Sequence, residues 1–333
     1  MTEKLFAEIM LVIVVLVVVC AVGSNIILIE TNYVYAQWIT PTDLSGINQN
    51  MHQKTSRTTN NKIVMINFDD AWESQYLYAK PILDKYGFKA SFFIPCAHVS
   101  VPGHDPPYMT WSEVADLTKD TMDIESHTMT HAHLTELNDA AQLNYEIVTA
   151  KDCFAQHGIT TNWFGYPLNL GQDNKKIVSV VASVYPFARS GDEPLFFLNC
   201  NGYKDQPKPQ PNNCYPLDDR GDLTFANRYN VKTKSFYHIL GNGTINYDED
   251  QMFLRFQARL KDETNANADG QLHAIPIFTY HKLGDLALYN TDASAITVRE
   301  FAREMDFLHN NGYRTATLAD LRYNTNTQSF YLP

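Results

Sequence analysis

Three groups of residues that can bind metal ions or transfer protons directly follow apolar runs of the sequence. They are the adjacent carboxylates Asp69 and Asp70, the histidines His127 and His131, and His281. In proteins built on parallel strands, the loops at the carboxyl ends of the strands form the active site. These residues are therefore the first candidates for catalysis.

The spacing of His127 and His131 predicts that their strand ends near Ser126. Residues four apart along a strand lie about 13 Å apart, at ~3.3 Å per residue, which is too far for both imidazoles to bind one ion. In a helical segment the same spacing puts both side chains on one face, so that two nitrogens can converge on a metal. Metalloprotease helices carry a catalytic glutamate beside the first histidine, where this chain has Thr128, so we expect the general base to come from elsewhere.

Together these residues predict a hydrolytic metal site. Asp70, His127 and His131 supply three protein ligands and leave positions for water and substrate. Because side chains alternate along a strand, we expect Asp69 to point in a different direction from Asp70, toward substrate or water. Asp69 and His281 then serve as a base and an acid. Taken singly, the aspartate pair also fits a surface turn, and His281 a structural histidine.

Alternating strands and helices must position these residues. From about Ile63 the rhythm predicts an α/β fold, a distorted (β/α) barrel of about seven units, with a proline-interrupted, loop-rich insertion at about 193–243. The predicted strands are Ile63–Phe68, Ala90–Ile94, Met122–Glu125, Trp163–Tyr166, Ala274–Phe278 and Tyr313–Ala316. The predicted helices are Tyr76–Tyr86, one beginning at the capping residue Thr110, Asp139–His157, Lys175–Val184, Asp250–Leu260 and Val298–Asn310.

Composition excludes several classes of function. With 44% apolar residues the chain can bury a large core, and its net charge of −11 argues against a nucleic-acid partner. The five cysteines form no C-x-x-C pair, which excludes zinc-ribbon and thioredoxin-type sites.

The amino terminus predicts export. The apolar run Ile9–Val22 resumes at Ile26, and the whole approaches the ~20 residues that span a bilayer. Residues 1–36 are therefore predicted to be a signal peptide, cleaved before Gln37, or a membrane anchor, and both alternatives stay open. Residues 37–61 are then a linker, 62–323 the catalytic domain and 324–333 a tail. The expected location is extracellular or at the cell surface.

Export permits disulfides. Cys200 and Cys214 bracket a proline-rich polar segment and are predicted to form one. Cys96 and Cys153 either pair or are buried separately.

Four motifs, in this order, resemble those of the polysaccharide deacetylases, the NodB-homology domain of carbohydrate esterase family four. They are Ile66–Asp70, Ile124–His131, Trp163–Pro167 and Phe278–His281. The resemblance covers roughly Lys62 to Leu321. It implies a distorted barrel and hydrolysis of N-acetyl groups from an extracellular amino-sugar polysaccharide or oligosaccharide.

The resemblance also implies a role for each site residue. Asp69 is the general base and His281 protonates the leaving amine, while the backbone N–H of Leu168 stabilises the oxyanion. Asp70, His127 and His131 hold a divalent ion, with zinc expected first and cobalt, nickel or iron as alternatives.

The third motif departs from the family pattern. Many members carry, where this chain has Gly165, an arginine that steadies the catalytic aspartate, although one branch lacks it. We hypothesise that Arg189 or Arg228 replaces it. The tryptophan-containing fourth motif is not recognisable between Asp192 and Tyr203.

Alternatives to the deacetylase remain. A catalytically impaired carbohydrate-binding or scaffold protein of the same fold is one, motivated by Gly165 and Leu168. A metal-independent glycosidase that uses Asp69 and a second carboxylate is another, although His127 and His131 argue against it. The expected partner is an N-acetylated polysaccharide, with membrane contact only if the N-terminal segment is retained.

Overall fold

Parallel strands form the centre of the fold. The computed structural model describes residues 61–191, 195–198, 228–235, 248–285 and 292–333. The strands are β1 Ile63–Asp69, β2 Ser91–Ile94, β3 Asp123–Ser126, β4 Trp163–Gly165, β5 Phe187–Ser190, β6 Phe196–Phe197, β7 Val231–Lys232, β8 Lys234–Ser235, β9 Ala274–Ile275, β10 Ile277–Tyr280, β11 Leu283–Gly284, β12 Ile296–Thr297, β13 Arg314–Ala316, β14 Arg322–Asn324 and β15 Ser329–Tyr331. The helices are α1 Lys80–Tyr86, α2 Trp111–Lys119, α3 Ala140–Asn144, α4 Ala150–Gln156, α5 Lys175–Val184, α6 Glu249–Ala266 and α7 Val298–Asn310.

The main sheet closes into a barrel. Its strands follow the order β5, β4, β3, β2, β1, β10, all parallel, and β13 also pairs with the first half of β1. The segment Val231–Ser235 contains β7 and β8, separated by Thr233. Its β7 part pairs with β5 and its β8 part with β10, so that one segment joins both edges of the sheet. The predicted distorted barrel of about seven units is confirmed.

This closing segment lies within the loop-rich insertion expected at 193–243. The prediction is corrected there, because Val231–Ser235 belongs to the barrel wall.

Strand β1 lies in the middle of the sheet and carries Asp69 at its carboxyl end. All seven of its residues are buried, as expected for a central parallel strand covered on both faces. The described residues form two large hydrophobic cores on the two faces of β1. Val64 and Phe68 pack in the first core, beneath the helices, whereas Ile63 and Met65 pack in the second core, together with Trp163 of β4. By strand alternation, Asp69 shares the face of Ile63 and Met65.

Most helices occur as predicted, with one recurrent difference. Helices α5 and α7 have the predicted bounds, and Thr110 forms a capping box with Glu113 at the start of α2. The predicted helices Tyr76–Tyr86 and Asp139–His157 each include a π-helical turn, Gln75–Ala79 and Tyr145–Thr149 respectively.

The C-terminal stretch is part of the folded domain. Residues expected to form a tail from 324 onward contain β15, which pairs antiparallel with β14. Phe330 is buried in the second core, with its ring centroid 5.9 Å from that of Trp163.

Cys96 and Cys153 form a disulfide that links the turn after β2 to α4. The pairing alternative is therefore the one the structure adopts. Cys200, Cys214, the N-terminal segment 1–36 and almost all of the predicted linker lie outside the described residues. Within the described part of the chain, no helix combines the length and the apolar character that crossing a membrane requires.

Candidate active site

Asp70, His127 and His131 converge at the carboxyl ends of β1 and β3. One potential ligand atom from each lies within 4.8 Å of the others. Oδ1 of Asp70 lies 3.2 Å from Nε2 of His131 and 3.7 Å from Nε2 of His127. The same Oδ1 atom is buried and has no hydrogen-bond partner among the residues that the structure describes.

The two histidines converge through a tight loop, and the helix expected after Ser126 is wrong. Thr128 and His131 have positive φ values of 70° and 62°, which no α-helix accommodates. The hydroxyl of Thr128 accepts a hydrogen bond from the backbone N–H of His131 (2.9 Å) and so closes the turn. The ring centroids of His127 and His131 are consequently 4.8 Å apart.

His127 is held in the form that binds metals. Its Nδ1 lies 2.8 Å from the carbonyl oxygen of Gly165, so this nitrogen carries the proton and Nε2 faces the site. Burial, reinforced by electrostatic interactions with His131 and with the Arg189 guanidinium, lowers the pKa of His127 well below its usual value. The imidazole is therefore neutral at physiological pH.

Asp69 lies beside this cluster. Its Oδ2 lies 3.9 Å from Nε2 of His127 and 3.9 Å from Nε2 of His281. The expectation that Asp69 and Asp70 point in different directions is wrong. Asp70 has a φ of 77°, which interrupts the alternation of the strand and turns both carboxylates toward His127.

An arginine from β5 pairs with Asp69. Nη2 of Arg189 contacts Oδ1 of Asp69, and the guanidinium lies 3.9 Å above the ring of Phe93. Both members of the ion pair are buried. Arg228 has different partners, since its Nε donates to the carbonyl of Pro186 (2.7 Å).

Gly165 provides the space that this arrangement needs. It pairs with Arg189 across β4 and β5. A Cβ on Gly165 would lie 2.8 Å from Nδ1 of His127, 2.8 Å from Cδ1 of Phe93 and 3.2 Å from Nη2 of Arg189. A side chain at this position would therefore displace its neighbours.

The donor set of the cluster fits a zinc-like divalent ion. One carboxylate oxygen and two imidazole nitrogens are ligands that zinc commonly takes from proteins. The unpartnered, buried Oδ1 of Asp70 also indicates a missing electropositive partner, because buried polar atoms rarely lack one.

Leu168 lies three residues after Gly165, in the turn Pro167–Asn169. Its φ of 56° is left-handed and its side chain is 53% exposed.

A groove of about 520 Å³ is lined in part by residues that closely follow Asp70 and His281 in the chain. Ser74, which lines it, accepts a hydrogen bond from the backbone N–H of Leu283 (3.1 Å), two residues beyond His281. Other lining residues are Glu73, Leu77, Tyr78, Pro106, Pro107 and Asp285.

Three residues near the site escaped the sequence analysis. The His98 ring lies 6.4 Å from that of His131 and stacks on Tyr108 at 4.4 Å. Its place just after β2 is a signal that the strand-end rule could have used. Glu146 and Gln75 bond to the loops of the site from the π-helical turns, and no sequence pattern indicates this.

Comparison with known proteins agrees with the motifs. Residues 56–184 match the family model described as polysaccharide deacetylase. YxkH of Bacillus subtilis, whose name assigns it provisionally to the polysaccharide deacetylases, is 28% identical over 143 residues. That match spans 43% of this chain and 43% of YxkH, so the chain matches less than half of the relative's length. The predicted resemblance to this family is confirmed.

Solved structures of CE4 proteins are distantly similar to this chain. The CE4 domain of a multidomain xylanase from the hindgut metagenome of Trinervitermes trinervoides has a TM-score of 0.44 and 17% identity, over 78% of this chain and 89% of that one. A CE4 family pseudoenzyme from Bacillus anthracis has a TM-score of 0.42 and 12% identity, over 78% and 65%.

Proposed function

Because residues 56–184 match the polysaccharide deacetylase family model, we propose that the protein is a divalent-metal-dependent hydrolase. It removes N-acetyl groups from an amino-sugar polysaccharide or oligosaccharide. The observation that carries this proposal is the convergence of Asp70, His127 and His131 beside the buried pair of Asp69 and Arg189.

Each group has a role suited to amide hydrolysis. Asp70, His127 and His131 would hold the ion, with zinc expected first. The chemistry that a bound divalent ion supplies here is polarisation of the amide carbonyl and a lower pKa of the attacking water. Asp69, oriented by Arg189, takes the proton from that water.

The leaving amine and the oxyanion need partners of their own. His281 donates a proton to the departing amine, because an unprotonated amide nitrogen is a poor leaving group. Nε2 of His281 lies 3.9 Å from Oδ2 of Asp69, which supports a pairing of these two residues as acid and base. The backbone N–H of Leu168 is proposed to stabilise the oxyanion, a role that does not depend on its side chain.

The groove supports a polymeric substrate. Leu77 and Tyr78, which line the groove, are exposed, and apolar and aromatic side chains of this kind pack against sugar rings. We assign the sugars that flank the reacting unit to this groove. An extracellular location is proposed from the apolar run at Ile9–Val22.

A catalytically impaired binding protein of the same fold is the second candidate function, and it has two motives, Gly165 and Leu168. The contact of Arg189 with Asp69 from the neighbouring strand weakens the first of them, because it supplies an arginine to the catalytic aspartate.

Metal reconstitution tests the proposal. The protein is stripped with a chelator and reloaded separately with zinc, cobalt, nickel or ferrous ions, and acetate release from N-acetylglucosamine oligomers is measured. We expect release only after reloading, and no recovery in Asp70→Ala. Release that persists after chelation would contradict the proposal.

A further inference from the structure

Two helices next to the site contain π-helical turns, and each turn carries a buried polar residue. Gln75 begins the turn Gln75–Ala79 and Glu146 lies in the turn Tyr145–Thr149. Their exposed fractions are 0% and 5%. A π-helical turn is rare because it inserts an extra residue into the helix and shifts the side chains around it, and such turns recur at functional sites.

Glu146 holds the loop that carries His131. Its Oε2 accepts a hydrogen bond from the backbone N–H of Thr130 (2.9 Å), and its Oε1 accepts one from the Thr130 hydroxyl (2.7 Å). The carbonyl oxygen of Glu146 also accepts from the backbone N–H of Met129 (3.0 Å). Three bonds from one residue thus support a loop in which His131 adopts a left-handed φ of 62°. Because that conformation is unfavourable for a histidine, the loop needs such support.

Gln75 joins the strands that carry the base and the acid. Its Nε2 donates to the carbonyl oxygen of Asp69 (2.5 Å) and to that of His281 (3.0 Å). These carbonyls lie at the carboxyl ends of β1 and β10, which are neighbours in the barrel. A single amide group therefore sets the separation of the two strand ends.

We propose that the two π-helical turns are positioning elements of the active site. Glu146 sets the place of His131 relative to Asp70 and His127, and Gln75 sets the place of Asp69 relative to His281. Neither residue touches the reacting atoms, so both are positioning residues. The inference rests on the proposed hydrolytic metal site and assigns its geometry to these two side chains.

Zinc affinity tests the role of Glu146. In Glu146→Gln the amide keeps the size of the side chain but cannot accept both bonds from Thr130 without reorienting. We expect zinc affinity, measured by titration of stripped protein against a competing chelator, to fall roughly 10- to 100-fold. Glu136→Gln changes an exposed carboxylate shortly after His131 and should leave the affinity unchanged.

Two outcomes separate this inference from the proposed function. If the wild-type protein binds no zinc, the proposed metal site fails. If the wild-type protein binds zinc and folded Glu146→Gln binds it equally well, the positioning role of Glu146 fails. Should Glu146→Gln not fold, Thr130→Val removes only the hydroxyl bond and should weaken zinc binding by a smaller factor.

Steady-state kinetics test the role of Gln75. Gln75→Met removes both donated bonds at similar volume, and we expect kcat to fall roughly 10- to 100-fold with KM and zinc affinity within about twofold of wild type. The same change at the exposed position Gln142 is the control and should alter neither constant. A folded Gln75→Met with wild-type kcat, or a loss confined to KM, would overturn the assignment.

Discussion

At the scale of single residues, the site depends on an arginine that reaches Asp69 from an unexpected strand. Gly165 and Arg189 are direct neighbours in the sheet through the pairing of β4 and β5. Because Gly165 has no side chain, Arg189 has the space to reach Asp69. Sequence reasoning could propose Arg189 and Arg228 but could not choose between them, because the choice depends on strand register. Buried contacts such as those of Glu146 are likewise invisible until the chain is folded.

Replacing Arg189 tests this arrangement. Arg189→Met leaves Asp69 buried without its cation, so we expect kcat to fall about 10²-fold or more and the free energy of unfolding to fall by roughly 3–5 kcal/mol. Arg189→Lys keeps the charge and should recover part of both losses. Activity assays with urea denaturation measure the two effects, and wild-type kcat in folded Arg189→Met would contradict the role.

Adding one methyl group at Gly165 should weaken the metal site. The new Cβ of Gly165→Ala would clash with Nδ1 of His127 and with Phe93, and the imidazole would have to shift. We expect zinc affinity to fall roughly tenfold or more. Unchanged zinc affinity would show that the ring has more freedom than its contacts indicate.

At the scale of elements, the loop that carries the two histidines shows what spacing alone can and cannot predict. The spacing predicts that the two imidazoles lie close together, and the structure brings them together, but through a tight loop and not through a helix. The loop is fixed by tertiary bonds, since the backbone N–H groups of Cys96 and Ala97 donate to the carbonyls of Thr128 (3.2 Å) and Met129 (2.9 Å). A periodicity argument contains no information about such partners.

The disulfide between Cys96 and Cys153 anchors the turn that is hydrogen-bonded to the histidine loop. Cys96 lies in the turn that bonds to the histidine loop, and Cys153 lies on α4. The double variant Cys96→Ser/Cys153→Ser should lower the free energy of unfolding by about 2–4 kcal/mol, because the crosslink restricts the unfolded chain. Denaturation of oxidised protein, reduced protein and the double variant measures this. Identical midpoints for all three would refute the anchoring role.

At the scale of the whole molecule, the alternation of strands and helices was sufficient to predict the barrel but not its closure. The closing segment Val231–Ser235 contains two lysines, a threonine and a serine, and lacks the apolar run that marks the other strands. Its place is set by two neighbouring strands, β5 and β10, that are distant in the sequence.

A buried carboxyl should make the stability of the fold depend on pH. Burial raises the pKa of Glu300 to about 7. Because the folded-state pKa exceeds the unfolded one, the stability that the protonated carboxyl contributes is complete below about pH 4 and is lost as the pH rises through about 7.

Glu300→Gln tests this dependence because its amide stays neutral. Relative to wild type, its free energy of unfolding should rise with pH, by up to about 3 kcal/mol near pH 8. Glu136→Gln, at an exposed position, should show no such trend. A constant difference between Glu300→Gln and wild type over this range would contradict the expectation.

The most direct test of the central claim is acetate release from N-acetylglucosamine oligomers, measured side by side for zinc-loaded wild type, chelated wild type and zinc-loaded Asp69→Asn. We predict release at the full rate by the first sample alone, no release by the chelated sample, and an Asp69→Asn rate lower by roughly 10²- to 10⁴-fold while its zinc content is retained. Release by all three samples, or by none while zinc is bound, would contradict a metal-dependent deacetylase with Asp69 as its base.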